Sequence, residues 1–235
     1  MRPTPSRIAT SLVCLALVLG AVVNAPSTRR MPVATLTAGA PVSRIAVVGD
    51  SYTNGTAIGG QGVNAWPVRA WRTLDRQGLK IVADVAAEGR AGYGVRGDHG
   101  DLFGDLTARA VKPDDALVVF YGSRNDQGVD PNVLNGEVGG ALSQAHGIAP
   151  AAKLLVIGPP WPTANVPPGV LQIRDILALQ SMLAGATFVD PIAAGWFVDR
   201  PDLIGRDGVH PTDAGHVYQA DKIAPLIGDQ LPRRV

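Results

Sequence analysis

The sequence predicts a single α/β domain, with a central parallel sheet of five strands and helices packed on both faces. Three observations carry that prediction. Short apolar runs alternate with segments of helical periodicity, the order expected when a crossover helix follows each strand. The clearest runs, 45–48 and 116–121, are continuously apolar, as strands buried on both faces are. Polar, glycine-rich clusters follow directly on these runs, at the edge where open α/β sheets bind ligands.

Residues 44–48 read as the first strand, closed by Gly49. Residues 66–77 place Val68, Trp71 and Leu74 at helical intervals and stop at Gly78, which makes an amphipathic helix. The second strand is 79–86. A helix over 102–111 ends at Lys112-Pro113, because proline disfavours helical geometry in the residue before it. The third strand is 116–121. Over 132–148, Val133, Leu134, Val138, Leu142 and Ala145 share one helical face, against the weak propensity of Gly136, Gly139 and Gly140. A fourth strand over 153–157 closes at Gly158-Pro159-Pro160, a helix follows at 170–183, and a short fifth strand at 187–189. Thr212 is placed to cap a last helix reaching Ile227.

At 235 residues, 46% apolar and 17% charged, the chain is long enough for one well-buried domain and gives no sign of a second. Its 21 Lys and Arg against 20 Asp and Glu leave it near neutral, without the global basic signal of a nucleic-acid binder. A monomer is expected. The N-terminus reads differently: Arg2 and Arg7 precede an uncharged apolar run at 8–23, shorter than the roughly 20 residues of a bilayer span. Residues 1–25 are therefore expected to be a secretory signal or, if uncleaved, an N-terminal membrane anchor. Residues 26–42 read as a linker and 43–235 as the folded domain, placed outside the cytoplasm, in the cell envelope or secreted. The only cysteine, Cys14, lies in the apolar run, so the domain has neither a disulfide nor a thiol nucleophile.

Four clusters mark the strand ends: Gly49-Asp50-Ser51-Tyr52, Gly89-Arg90-Ala91-Gly92, Gly122-Ser123-Arg124-Asn125-Asp126 and Asp207-Gly208-Val209-His210. A serine hydroxyl is a poor nucleophile near neutral pH, so a histidine must take its proton and a carboxylate must face the imidazolium that forms. Ser51 at a strand end, with Asp207 and His210 three apart in one turn, supplies all three groups. A tetrahedral oxyanion also needs donors aimed at it in advance. A glycine at 92 admits close approach and offers an unobstructed N–H. No Gly-x-Ser-x-Gly elbow occurs, which argues against the α/β-hydrolase arrangement.

In order and spacing, the four blocks resemble the SGNH/GDSL hydrolase superfamily over about residues 43–228. The resemblance implies a flavodoxin-like three-layer α/β/α sandwich and hydrolysis of esters or thioesters without a cofactor. It implies Ser51 as nucleophile, His210 as general base and then acid, and Asp207 as the group that orients the imidazole. The implied oxyanion donors are the N–H of Ser51, the N–H of Gly92 and the side-chain amide of Asn125. Two departures stand out: Glu88 precedes Gly89 where the pattern has an asparagine nearby, and the third block has one extra residue between Gly122 and Asn125. Aligning on Asn125-Asp126 puts Ser123 at the usual glycine and Arg124 beside the oxyanion pocket.

Asp50, Arg90, Arg124 and Trp161 are candidate substrate contacts at the same edge, although Trp161 equally suits packing under its proline-rich loop. His146 reads as a surface or packing residue and His216 as structural. The stretch Arg96-Gly97-Asp98-His99-Gly100-Asp101 reads as a solvated loop rather than a cation site. The expected protein is an exported serine esterase working through an acyl-serine intermediate. Loops rich in Gly, Arg, Asn and Asp, with no long apolar lid, point to a short acyl group on a polar or glycan alcohol ahead of a lipid ester. Acyl transfer to another alcohol by the same triad, and a non-catalytic module holding an envelope glycan or lipid, are the alternatives.

Overall fold

A computed structural model describes residues 42–231. The expected signal or anchor at 1–25 and the linker up to residue 41 lie outside the described residues. Five strands, β1 (Val42–Gly49), β2 (Lys80–Ala87), β3 (Leu117–Tyr121), β4 (Lys153–Ile157) and β5 (Thr187–Val189), form one sheet in the order β2-β1-β3-β4-β5. Every neighbouring pair is parallel. The helices are α1 (Ser51–Asn54), α2 (Trp66–Arg76), α3 (Phe103–Ala110), α4 (Pro131–Ile148), α5 (Pro168–Leu183) and α6 (Asp213–Gln230). The expected sheet and helices are all present, and β1 begins at Val42, the last residue assigned to the linker.

Successive strand residues face opposite sides of a sheet, and β1 divides its apolar run accordingly. Ala46 and Val48 join Phe103, Leu142 and Leu177 in the core under α3, α4 and α5. Ile45 and Val47 join Leu74, Ile223 and Ile227 in the core under α2 and α6. Each fully buried Leu or Ile side chain in these cores stabilises the fold by roughly 1.5–3 kcal/mol. The result is a three-layer α/β/α sandwich.

α4 forms in spite of its glycines. Asp130 accepts from the N–H groups of Asn132 and Val133 at 2.9 and 3.3 Å, and Pro131 occupies the first turn, where no N–H is needed. Leu134, Val138 and Leu142 then bury one face, and tertiary packing outweighs propensity. Thr212 caps α6 through a bond from the Gly215 N–H, as expected, but the helix runs past Pro225 to Gln230, beyond the expected end at Ile227.

The strand order positions the site. β2 and β3 flank β1 on opposite sides, so the connections leaving β1 and β3 diverge and open a crevice beyond their C-terminal ends. Ser51 follows β1 at that crevice, and a 3₁₀ turn, Arg124–Asp126, follows β3 there.

Candidate active site

Ser51 is the first residue of α1, and the residue before it sets that turn. The Asp50 carboxylate accepts the Tyr52 N–H at 2.8 Å, the Ser123 N–H at 3.1 Å and Asn125 Nδ2 at 3.3 Å. Asp50 is fully buried, and burial lifts its pKa to about 6 although these N–H bonds and Arg124 pull it down. A side chain with no access to solvent and three internal donors is a strut between the first and third blocks. The expectation that Asp50 touches substrate is corrected. Ser51 itself is nearly buried, and its Oγ makes no hydrogen bond among the described residues.

Asp207 and His210 meet within one turn. Asp207 Oδ2 lies 2.6 Å from His210 Nδ1, and Oδ1 accepts the N–H groups of Val209 and His210 at 3.0 Å each. Partial burial pushes Asp207 up, but the hydrogen bonds from His210 and those two N–H groups outweigh it and hold the carboxyl at about 2. The carboxylate stays ionised and fixes Nδ1 as the bonded ring nitrogen, which leaves Nε2 for chemistry. Gly205 closes the turn by donating its N–H to His210 O at 2.8 Å.

Tyr52 joins this turn to the serine. Its hydroxyl donates to Val209 O at 2.5 Å, across 157 residues of sequence, and its own carbonyl accepts from Gln219 Nε2 at 3.4 Å. The ring is buried, which pushes the phenol up to about 12 and keeps it a donor. Nothing in the sequence marked Tyr52 or Gln219 for this task. An aromatic residue after a candidate nucleophile reads as core, and the Val209 carbonyl carries no side-chain signal.

The second block is organised by two acids. Asp126, buried, accepts the N–H groups of Tyr93, Gly94 and Val95 at 2.9, 2.8 and 3.0 Å and the Ser123 hydroxyl at 2.6 Å. Successive N–H groups converging on one carboxylate form an anion nest. Burial still raises the Asp126 pKa against those four bonds. Glu88, also buried, accepts the N–H groups of His99 and Gly100 and so ties down the next loop. Here lies the physical role of the residue that departs from the family's asparagine.

Gly92 is needed for a different reason than expected. A Cβ at this position would collide with the Asp126 carboxylate, so glycine permits the close approach of the two loops. Its N–H already donates to Val95 O at 2.8 Å, which corrects its assignment as an oxyanion donor. The Gly89 N–H, by contrast, has no acceptor among the described residues. Ala87 pairs in register with Gly49, so Gly89 and Ser51 each lie two residues beyond one rung of the sheet. Asn125 sits beside them, its Nδ2 donating to Ala91 O at 2.9 Å and, at the longer 3.3 Å, to Asp50.

The two arginines of the edge differ. Arg90 is exposed and paired with Asp98 at 2.5 Å, so its charge is partly compensated within its own loop. Arg124 donates through Nη1 to Tyr52 Oη at 3.3 Å and lies 4.4 Å over the Trp161 ring. Trp161, half-buried, donates Nε1 to Asn165 O at 3.1 Å. In the loop 96–101, Asp98 pairs with Arg90 and Asp101 with Arg109, and the described residues contain no cluster of three metal-ligating side chains. His146 is exposed on α4, and His216 is buried, its Nδ1 accepting the Trp66 N–H. A groove of about 370 Å³, walled by Pro162, Ala164, Pro201 and Ile204, reaches Gly208 in the Asp207–His210 turn.

A serine at the switch point of a parallel sheet, and an Asp-His pair in one turn at the same edge, are the groups that the class of serine ester hydrolases uses. Comparison with known proteins gives the same class. The profile of the GDSL-like lipase/acylhydrolase family matches residues 47–218. The chain is 58% identical over 229 residues to the GDSL lipase Rv0518 of Mycobacterium tuberculosis, covering 96% of this chain and 99% of that one. The protein belongs to the GDSL-like lipase/acylhydrolase family and is a carboxylic ester hydrolase. Solved structures share its fold: TesA, at 19% identity and a TM-score of 0.63 over 80% of this chain and 100% of that one. A family two carbohydrate esterase from Clostridium thermocellum, in complex with cellohexaose, gives 16% identity and a TM-score of 0.62, covering 80% and 64% of the two chains.

Proposed function

We propose that this protein is an exported serine esterase that cleaves a short acyl ester of a polar or glycan alcohol through an acyl-Ser51 intermediate. The observation that carries the reading is the Asp207–His210 pair at 2.6 Å, tied to the turn of Ser51 by the bond from Tyr52 to Val209. Ser51 Oγ attacks the ester carbonyl as His210 Nε2 takes its proton, and the Asp207 carboxylate stabilises the imidazolium. Collapse of the tetrahedral adduct breaks the bond to the alcohol, which leaves with the proton from His210. A water then attacks the acyl-serine with His210 again as base, and the acid is released.

The oxyanion is met by the N–H of Ser51, the N–H of Gly89 and Nδ2 of Asn125, which turns its longer bond from Asp50 to the substrate oxygen. Apo sites often tighten such bonds only with substrate present. The groove along Pro162, Ala164, Pro201 and Ile204 takes the apolar part of the ester. That a structural neighbour is a carbohydrate esterase supports a glycan alcohol as the other part. Residues 1–25 direct export, on the strength of Arg2, Arg7 and the uncharged run that follows.

The test is labelling of the purified protein with a serine-directed organophosphorus probe, peptide mapping, and turnover of p-nitrophenyl acetate. Label is expected on Ser51, and Ser51→Ala and His210→Ala should each lower turnover by roughly 10³-fold or more. Label elsewhere, or near wild-type turnover in Ser51→Ala, removes the assignment. Export is tested by cell fractionation, where accumulation of the full-length chain in the cytosol refutes it.

A further inference from the structure

Arg124 is one of five described arginines without an aspartate partner; Arg69 is bonded to Asn64 instead, and Arg72, Arg76 and Arg206 are exposed. Arg44, Arg90, Arg96, Arg109, Arg174 and Arg200 each form an ion pair with an aspartate. Arg124 has no such partner among the described residues, yet it is not a loose surface charge. It is half-buried, one face of its guanidinium covers the Trp161 ring, and Nη1 is held by the Tyr52 hydroxyl, a neutral acceptor. Stacking and a bond to a phenol fix the orientation of the fork without neutralising it. The remaining N–H donors of the fork have no acceptor among the described residues. A guanidinium presents five donors in a plane, matched to a carboxylate or phosphate edge.

Its place is equally specific. Arg124 adjoins Asn125, and the residue it grips, Tyr52, adjoins Ser51, so the guanidinium lies beside two residues of the proposed site. Asp50, the acid of the first block, feels the Arg124 charge through space but forms no ion pair with it, because its oxygens are turned onto the N–H groups of Tyr52 and Ser123 and onto Asn125.

We infer that Arg124 is an anion-recognition residue, and that the substrates of this esterase carry a carboxylate or phosphate close to the scissile ester. The inference rests on the hydrolase reading above and adds the charge class of the substrate to it.

The experiment compares kcat/KM for a neutral ester, p-nitrophenyl butyrate, with two charged ones. p-Nitrophenyl hydrogen succinate places the carboxylate on the acyl side, and 4-carboxyphenyl acetate, set against phenyl acetate, places it on the alcohol side. Arg124→Met, which keeps an unbranched apolar stem and removes the guanidinium, should lose roughly 10- to 100-fold more on one charged ester than on its neutral partner, the range of a lost charge-assisted hydrogen bond. The ester affected tells which side carries the anion. Arg124→Lys should recover only part of the loss, and added salt should erode the preference in the wild type. A second reading needs no turnover: succinate should change the fluorescence of Trp161 saturably, and the change should vanish in Arg124→Met and in Trp161→Phe. Equal losses on charged and neutral esters, with the succinate response intact in Arg124→Met, overturn the inference and leave Arg124 as a brace for the 3₁₀ turn. If Ser51→Ala keeps its turnover, the hydrolase reading fails, while the succinate titration still decides for or against the anion site.

Discussion

Replacing His216 by Asn should change how stability depends on pH, and the size of the change follows from two buried groups. Burial holds the His216 imidazole at about 4, against its ordinary 6.5. Between those values the unfolded chain binds more protons than the folded one, so stability rises with pH, by about 3 kcal/mol over the interval. Asp50 works in the opposite sense. Burial lifts it from 3.8 to about 6, so here the folded state binds the additional proton. Stability is full below the lower value and falls as pH rises through the upper one, again by about 3 kcal/mol. In the wild type the two slopes cancel over most of the range from pH 4 to 6. Asn at 216 keeps an acceptor near Nδ1 for the Trp66 N–H but does not titrate, so the falling slope of Asp50 is exposed. Asp115 and Asp126, also raised by burial, add falling slopes common to both proteins. The difference between the two profiles therefore isolates His216. Urea titrations followed by tryptophan fluorescence at several pH values from 4 to 7 measure it. Asn fills less space than the ring packed against Gly60, which lowers stability by an amount independent of pH and does not affect the slope. Parallel profiles for wild type and His216→Asn would refute the reasoning. Asp50→Asn should show the complementary rising slope.

Three further outcomes test the site. Asn125→Ala should lower turnover by roughly 10² or more for every ester, neutral or charged, as loss of an oxyanion donor does. Tyr52→Phe removes the bond to Val209 O and the acceptor of Arg124 Nη1, and should lower stability by about 0.5–1.5 kcal/mol in urea titrations while, on a neutral ester that does not engage Arg124, reducing kcat more than it changes KM, because it moves the histidine turn. Gly92→Ala drives a methyl group into the Asp126 carboxylate and should destabilise by roughly 1–3 kcal/mol, with the loss of activity following from the displaced loop.

Much of the sheet was legible because its strands are short and apolar, and the polar clusters that end them mark its C-terminal edge. The order of the four blocks marks the candidate site for the same reason. What spacing cannot convey is which backbone N–H remains free. Gly89 and Gly92 are three apart in one glycine-rich stretch, and only the fold shows that Val95 O already takes the second. Charge misleads in a similar way: Asp50, Glu88 and Asp126 stand among the clusters like residues that meet a ligand, and all three are buried. Each accepts at least two backbone N–H groups, Asp50 from the first and third blocks, Glu88 from the loop at 97–100, and Asp126 from residues 93–95 just after the second block. A buried carboxylate is unfavourable unless hydrogen-bonded, and each bond broken removes part of that compensation, so these acids fix loop geometry more strictly than apolar packing would. Oxyanion donors must be aimed before the reaction begins. In the proposed site that aim is set by inward-facing carboxylates, while Arg124, without an ion-pair partner among the described residues, is held in place by Tyr52 and Trp161.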